Sequence, residues 1–409
     1  LSRSSIPRPV KLLGWASLFT DAATEMIYPL LPVYLSRVLG ASATSLGIIE
    51  GVAEAVNSLL KILSGWLSDR RAQRRPLVIA GYALSSIARP LIAITTSWPQ
   101  VLAIRALDRT GKGIRGAPRD AMLAGHADAS SRGRIFGFHR AMDHTGAIVG
   151  PVIATVFLFF LPGEYRWLFA LTAIPGALAV ATLFRVQERS ERREPFDSAD
   201  LAQGKPFDSA DLAPGKPFER RERSERLPKD LYAVLGIIFL FSLGSSADAF
   251  LLLRLSDALG SATYVPLLWA VHHVVKASLS TWGGSLSDRL GRRFVIAIGW
   301  VIYALVYLGF AAATSGAVFI ALFLVYGVHF ALVEGAEKAL VADLTPAHRQ
   351  GTSFGLYNAV LGAGMLVASI AFGVVYDRFG PPAAFTMGAA LSAAAAVLLF
   401  FIRVPDTKS

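Results

Sequence analysis

Asp21 and Glu25 stand four residues apart in the first apolar run of the chain, so a helix places them on one face. Two carboxylates on adjacent turns in an apolar setting have the chemistry of proton or cation binding. Further along, Glu50, Glu54, Asn57 and Lys61 form one helical stripe. Arg105, Arg109 and Lys112 form another, and Asp108, Lys112, Arg115 and Arg119 a third. His139 shares a face with Asp143, and Arg140 with His144. Asp248, His272, His273, Lys276, His329, Glu334, Glu337 and Lys338 follow in later apolar runs.

Imidazole and carboxylate together suit nickel, cobalt, zinc or iron(II). On that basis Asp21, Glu25, Asp143, His144 and His273 are candidate ligands for a transported divalent cation. The spacing matches no metal motif. Side chains of the adjacent His272 and His273 diverge by about 100° on a helix, so at most one faces a shared cavity. The basic stripe of Arg105, Arg109 and Lys112 argues instead for an organic anion, such as a metal chelate or phosphate ester. A purely structural reading pairs Glu54 or the Asp21 and Glu25 carboxylates with Arg109, and Glu334 with Lys338. The substrate and proton candidates are Asp21, Glu25, Glu54, Arg109, His139, Asp143, His144, Asp248, His273, His329 and Glu334.

These groups lie in an unusually apolar chain. Of 409 residues, 54% are hydrophobic and 17% charged, against about 25% charged in soluble domains. That excludes a disordered protein and most soluble enzymes. A bilayer core needs roughly 20 mostly apolar residues in helix. That window predicts twelve spans, at 11–35, 44–66, 76–96, 99–122, 135–160, 166–185, 230–253, 264–286, 294–314, 317–341, 352–375 and 383–402. Each ionisable group at a span centre costs about 2.5–3.5 kcal/mol or more. So many of them predict a polar, water-filled cavity lined by spans one, four, five, seven, eight and ten.

The net charge of +11 has a topological explanation. Most of the 40 basic residues fall on the connections after even-numbered spans and on the termini. The opposite side holds Arg37, Arg166, Arg254 and Arg378. That bias places both termini in the cytoplasm of a multi-pass protein, here expected in the cytoplasmic membrane of a bacterium. A nucleic-acid partner is not called for. Cysteine is absent, so there is no thiolate site. The chain has no GxxxxGK[ST] or HExxH, so no ATPase, no enzyme and no cofactor is expected. An ion gradient is then the expected energy source.

One long polar stretch, 186–229, divides the chain into bundles at 1–185 and 230–409. It contains PFDSADLAQGK at 195–205 and PFDSADLAPGK at 206–216, and reads as a flexible cytoplasmic linker. The two sides resemble each other in order: GWLSDRRAQRR at 65–75 with GGSLSDRLGRR at 283–293, RGAP at 115–118 with EGAE at 334–337, and RGRIFGFHRA with RQGTSFGLYNA. Repeats of six helices predict two pseudo-symmetric bundles around a cavity.

The chain resembles the major facilitator superfamily across essentially its whole length. The resemblance rests on Gly65, Asp69, Arg70, Arg74 and Arg75, and on Gly284, Asp288, Arg289, Gly291, Arg292 and Arg293. The first loop departs from the family pattern where Arg71 and Ala72 replace a glycine turn. GAIVGPVIA at 146–154 resembles the Gly-xxx-Gly-Pro motif of the superfamily's exporters through Gly146, Gly150 and Pro151. TDAATEMIYPLLPVYL at 20–35 and LDRTGKGIRGAPRDA at 107–121 resemble a bacterial branch of exporters near the nickel- and cobalt-resistance permeases.

The resemblance implies an all-α membrane fold of two six-helix bundles, with spans five and eight meeting between the halves. It implies a monomeric carrier working by alternating access, with protons entering as solute leaves. It also implies gating roles for Asp69, Arg70, Arg75, Asp288, Arg289 and Arg293, the first-half aspartate lying near a helix start in the opposite half.

Overall fold

The computed structural model describes residues 6–70, 74–126, 132–187, 227–345 and 349–401. The repeat of the polar stretch lies outside them. Among the described residues the chain forms twelve helical rods. Rod α1 begins as Arg8–Ile27 and runs on through short turns to Val38. Then come α2 (Ala43–Arg70), α3 (Arg75–Ile94), α4 (Trp98–Ala124), α5 (Arg132–Phe160) and α6 (Tyr165–Leu183). The second half holds α7 (Lys229–Leu259), α8 (Val265–Leu290), α9 (Arg292–Ala312), α10 (Gly316–Asp343), α11 (Gln350–Phe379) and α12 (Pro381–Phe401).

Local sequence sets where the rods start and stop. Proline stands in the first turn of α1, α3, α4 and α8, where its missing N–H costs nothing. Gly260 (φ 65°) and Gly380 (φ 83°) end α7 and α11 in the left-handed region that side chains avoid. Most rods overrun their predicted spans by several residues, because polar ends that a hydropathy window rejects still propagate helix. Rod α7 is interrupted at Ser245–Ala247, so Asp248 opens a fresh helical segment.

Packing repeats between the halves. In the first, α1 packs on α5 and α6, α2 on α4, and α3 on α4 and α6. In the second, α7 packs on α11 and α12, α8 on α10, and α9 on α10 and α12. Every pairing recurs six rods later, as the sequence repeat predicts. The halves meet along α2–α11 and α5–α8, a pair that is itself symmetric. Among the described residues eight rods are long and apolar enough to cross a bilayer. Those that fall short are α1, α2, α4 and α8, which carry the stripes of ionisable groups. The protein is an all-α, multi-pass membrane protein.

Candidate functional site at the seam between the halves

Asp21 sits where α1 and α5 approach most closely. A methyl group on Gly146 would collide with the Leu18 carbonyl oxygen and lie 3.1 Å from Asp21 Cβ. One on Gly150 would collide with the Ala22 carbonyl. Small residues four apart thus let α5 close onto α1 on either side of Asp21. Pro151 follows inside α5, and its carbonyl accepts from Thr155 Oγ1 at 2.9 Å. Half-buried Asp21 makes no hydrogen bond or ion pair among the described residues. The charged groups facing it are Asp143, Lys112, Arg115 and Glu25.

Glu25, one turn on, reaches across the seam. Its Oε2 accepts from Trp269 Nε1 at 2.7 Å. The Trp269 ring stacks on His272 with centroids 5.3 Å apart, and lies 5.4 Å from the Tyr28 ring. Aromatic and carboxylate groups therefore line the seam together.

Among the described residues the basic stripe of α4 is neutralised by ion pairs only at its Arg105 end. Arg105 contacts Glu50 at 2.8 Å and Asp108 at 3.8 Å, and Asp108 contacts Arg89 at 3.0 Å, all four side chains buried. Arg115 donates to Ser85 Oγ at 2.8 Å and lies over the Tyr82 ring. The expected Glu54–Arg109 pair does not form. Glu54 accepts from Asn57 Nδ2 at 3.1 Å, and Arg105 takes Glu50 instead, one turn away on the same stripe. Arg109 is buried facing Asp108, Glu50 and Glu54, without an ion pair inside 4 Å among the described residues.

On α5, Asp143 is held by Ser17 Oγ and by His139 Nδ1 at 3.5 Å. His144 faces His273 and Lys276 across the α5–α8 contact. His273 Nε2 is buried with no hydrogen-bond partner. Its neighbour His272 turns away, its Nδ1 placed 3.2 Å from the Phe323 carbonyl. Asp248 accepts from Tyr326 OH at 2.7 Å. Glu334 pairs with both Lys276 and Lys338 at 3.1 Å.

Two expectations need correction. His329 does not line the seam: it is buried in the second bundle, Nδ1 2.8 Å from the Gly299 carbonyl and packed on Phe241 and Tyr303. A single histidine on an apolar helix is commonly satisfied this way, and only the rotation of α10 decides it. Nor are the proposed metal ligands gathered. Among the described residues no three His, Asp or Glu side chains converge to hold an ion, so Asp21, Glu25, Asp143, His144 and His273 do not form one site. Asp143 is occupied by Ser17 and His139, and Glu25 by Trp269.

The loop motifs divide. The side chains of Gly65 to Arg70, with residues 71–73, lie outside the described ones, so Asp69 and Arg70 have no contacts to report. Arg75 donates to the Phe184 carbonyl at 2.7 Å, within its own half. In the second copy Arg292 bridges Asp288 and Asp343, tying α8 to α9 and α10. Arg293 reaches the Phe400 carbonyl at 3.4 Å, and Arg289 stands beside Asp288 at the exposed end of α8.

Sequence reasoning missed Trp269, Tyr326 and Arg89. The first two donate to the seam carboxylates, and a Trp three residues before paired histidines was the available signal. Arg89 was hidden inside an apolar span, though an arginine before proline there could have been flagged.

The sequence profile of the Major Facilitator Superfamily matches residues 13–254 and 233–409. This chain belongs to that superfamily. Members are membrane transporters, and the protein is a secondary carrier. An uncharacterised MFS-type transporter of Methanocaldococcus jannaschii, MJ1317, is 32% identical over 97% of this chain and 95% of its own length. The quinolone resistance protein NorA of Staphylococcus aureus is 26% identical over 34% of this chain and 36% of its own. The crystal structure of a D-xylose-proton symporter superposes with a TM-score of 0.71 at 18% identity, covering 98% of both chains, which is a likeness of fold.

Proposed function

We infer that this superfamily member is a proton-coupled exporter of small charged organic solutes, with Asp21 as the protonation site. One observation carries the reading. Asp21 is a seam carboxylate with no hydrogen bond or ion pair among the described residues, wedged against the Gly146–Gly150 approach of α1 and α5. Protonation there alters the charge between two packed helices, and it breaks no existing bond. Lys112 and Arg115 face the same carboxylate, so a bound anion competes for them when Asp21 is ionised.

Export is supported by Gly146, Gly150 and Pro151, which match the exporters' motif, and by the partial likeness to the quinolone resistance protein NorA. The basic even-numbered connections argue for cytoplasmic termini in the cytoplasmic membrane, and the superfamily resemblance argues for a monomer. An organic solute is preferred to a bare divalent cation. The seam joins Tyr28, Trp269 and Tyr326 to Glu25, Asp248 and Arg109, whereas the metal-ligand candidates are dispersed. Halves that rock about the α2–α11 and α5–α8 contacts would expose this seam alternately.

Full-length protein in proteoliposomes with an imposed pH gradient tests the substrate class. Ethidium, carboxyfluorescein and Co2+ are the probes. Gradient-driven movement of an organic dye supports the reading. Movement of Co2+ alone replaces it with the metal carrier, and dye movement with the protons, toward the basic side, makes the protein a symporting importer.

A further inference from the structure

The odd-numbered connections come together at one end of the molecule, opposite the basic loops. At that end two carboxylates of the second half engage the first half. Rod α2 begins at Ala43, and the early backbone N–H groups of a helix have no partner inside it. Their bonds can be accounted for one by one. Ser45 N–H is taken by the Ser42 hydroxyl of the same turn at 3.1 Å. Leu46 N–H makes the first helical bond, to Ser42. The N–H groups of Ala43 and Thr44 donate to Asp377 at 2.9 and 2.7 Å, and Thr44 Oγ1 donates to the same carboxylate at 2.5 Å. Asp377 lies in the last turn of α11, so the start of α2 is capped by a residue of the opposite half.

A second pair lies at the same end. Arg37, at the end of α1, donates to the Asp257 carboxylate at 3.1 Å and to the Ser256 carbonyl at 3.2 Å, both on α7. Beneath these bridges the α2–α11 seam is closed backbone to backbone. A methyl on Gly47 would collide with the Ser369 carbonyl, and one on Gly373 with residues Ala43 and Thr44. The charged side chains that bridge the halves, Asp377, Arg37 and Asp257, are exposed. An exposed ion pair is weak, so the cap at α2 is the stronger element.

We propose that Asp377, with Arg37–Asp257 beside it, is the latch that holds this end of the carrier shut. Here a carboxylate closing α11 meets the start of α2. When the halves part at this end, Ala43 and Thr44 lose their acceptor and water replaces it. The latch therefore adds to the closed state and takes nothing from the internal packing of either bundle. This rests on the alternation proposed above.

The chain contains no cysteine, so introduced pairs label cleanly. Pro162→Cys and Thr314→Cys mark exposed turns of the two halves at the latched end, and spin-label distances in lipid report its opening. Asp377→Ala should raise the ratio of open to closed populations about tenfold, the size expected for a lost helix cap. Arg37→Gln should raise it by about two- to fivefold. A wild type that populates both separations, with ratios unmoved by Asp377→Ala, overturns the latch and leaves alternation standing. A wild type locked at one separation across pH and probe conditions overturns both. Asp377→Asn, which retains an acceptor without the charge, should fall between wild type and Asp377→Ala. A ratio in Asp377→Asn below that of wild type would also count against the latch.

Discussion

Glu25 on α1 accepts a hydrogen bond from Trp269 Nε1 on α8 at 2.7 Å, joining the two halves of the carrier at the level of the seam. The bond fixes the indole against Tyr28 and His272, so one acid organises an aromatic wall. Trp269→Phe retains most of the ring and removes the donor. A hydrogen bond is worth about 0.5–1.5 kcal/mol net, so the bridged conformer should lose population accordingly. Hydrogen exchange of α8 amides around residue 269 should speed up. Unchanged exchange would mean that this bond does not tie the halves.

The α1–α5 approach makes a prediction about single methyl groups. Gly146→Ala and Gly150→Ala insert carbon where the Leu18 and Ala22 carbonyls already lie. Overpacking of this kind costs about 1–3 kcal/mol, so thermal unfolding in detergent should begin several degrees lower. Gly137→Ala, on the same helix with open space around it, should be neutral or slightly stabilising. Equal effects at all three positions would remove the packing explanation.

A third prediction concerns the buried chain Glu50–Arg105–Asp108–Arg89. Removing one partner strands the others in a dry site, at about 3–5 kcal/mol. Glu50→Gln should therefore destabilise the protein strongly. Combining Glu50→Gln with Arg105→Met should cost much less than the two separate losses added together. Additive losses in that double-mutant cycle would show that the two groups are not coupled.

The number and order of rods, and their repetition six apart, were legible because hydropathy and the recurrent loop motif act at the scale of whole helices. The pairing of charges was not. Glu50 and Glu54 occupy the same stripe, and so do Arg105 and Arg109. A shift of one turn between α2 and α4 decides which acid meets which base. His329 and His273 looked alike for a related reason: each lies in an apolar helix, and only helix rotation sends one inward to Gly299 and the other toward His144. The Asp377 cap was invisible because its partners are backbone N–H groups, which leave no trace in side-chain patterns. The metal-ligand candidates on α1, α5 and α8 share a seam, and among the described residues no three of them converge.

Whether Asp21 carries the coupling proton is decided by comparing Asp21→Asn with wild type in the same proteoliposomes. Ethidium or carboxyfluorescein movement and internal pH are followed together under an imposed gradient. Because Asp21 makes no hydrogen bond or ion pair among the described residues, the variant should keep wild-type thermal stability and still exchange dye across equal concentrations. It should lose gradient-driven accumulation and the accompanying proton movement. Accumulation at the wild-type rate, with protons still moving, would contradict the account.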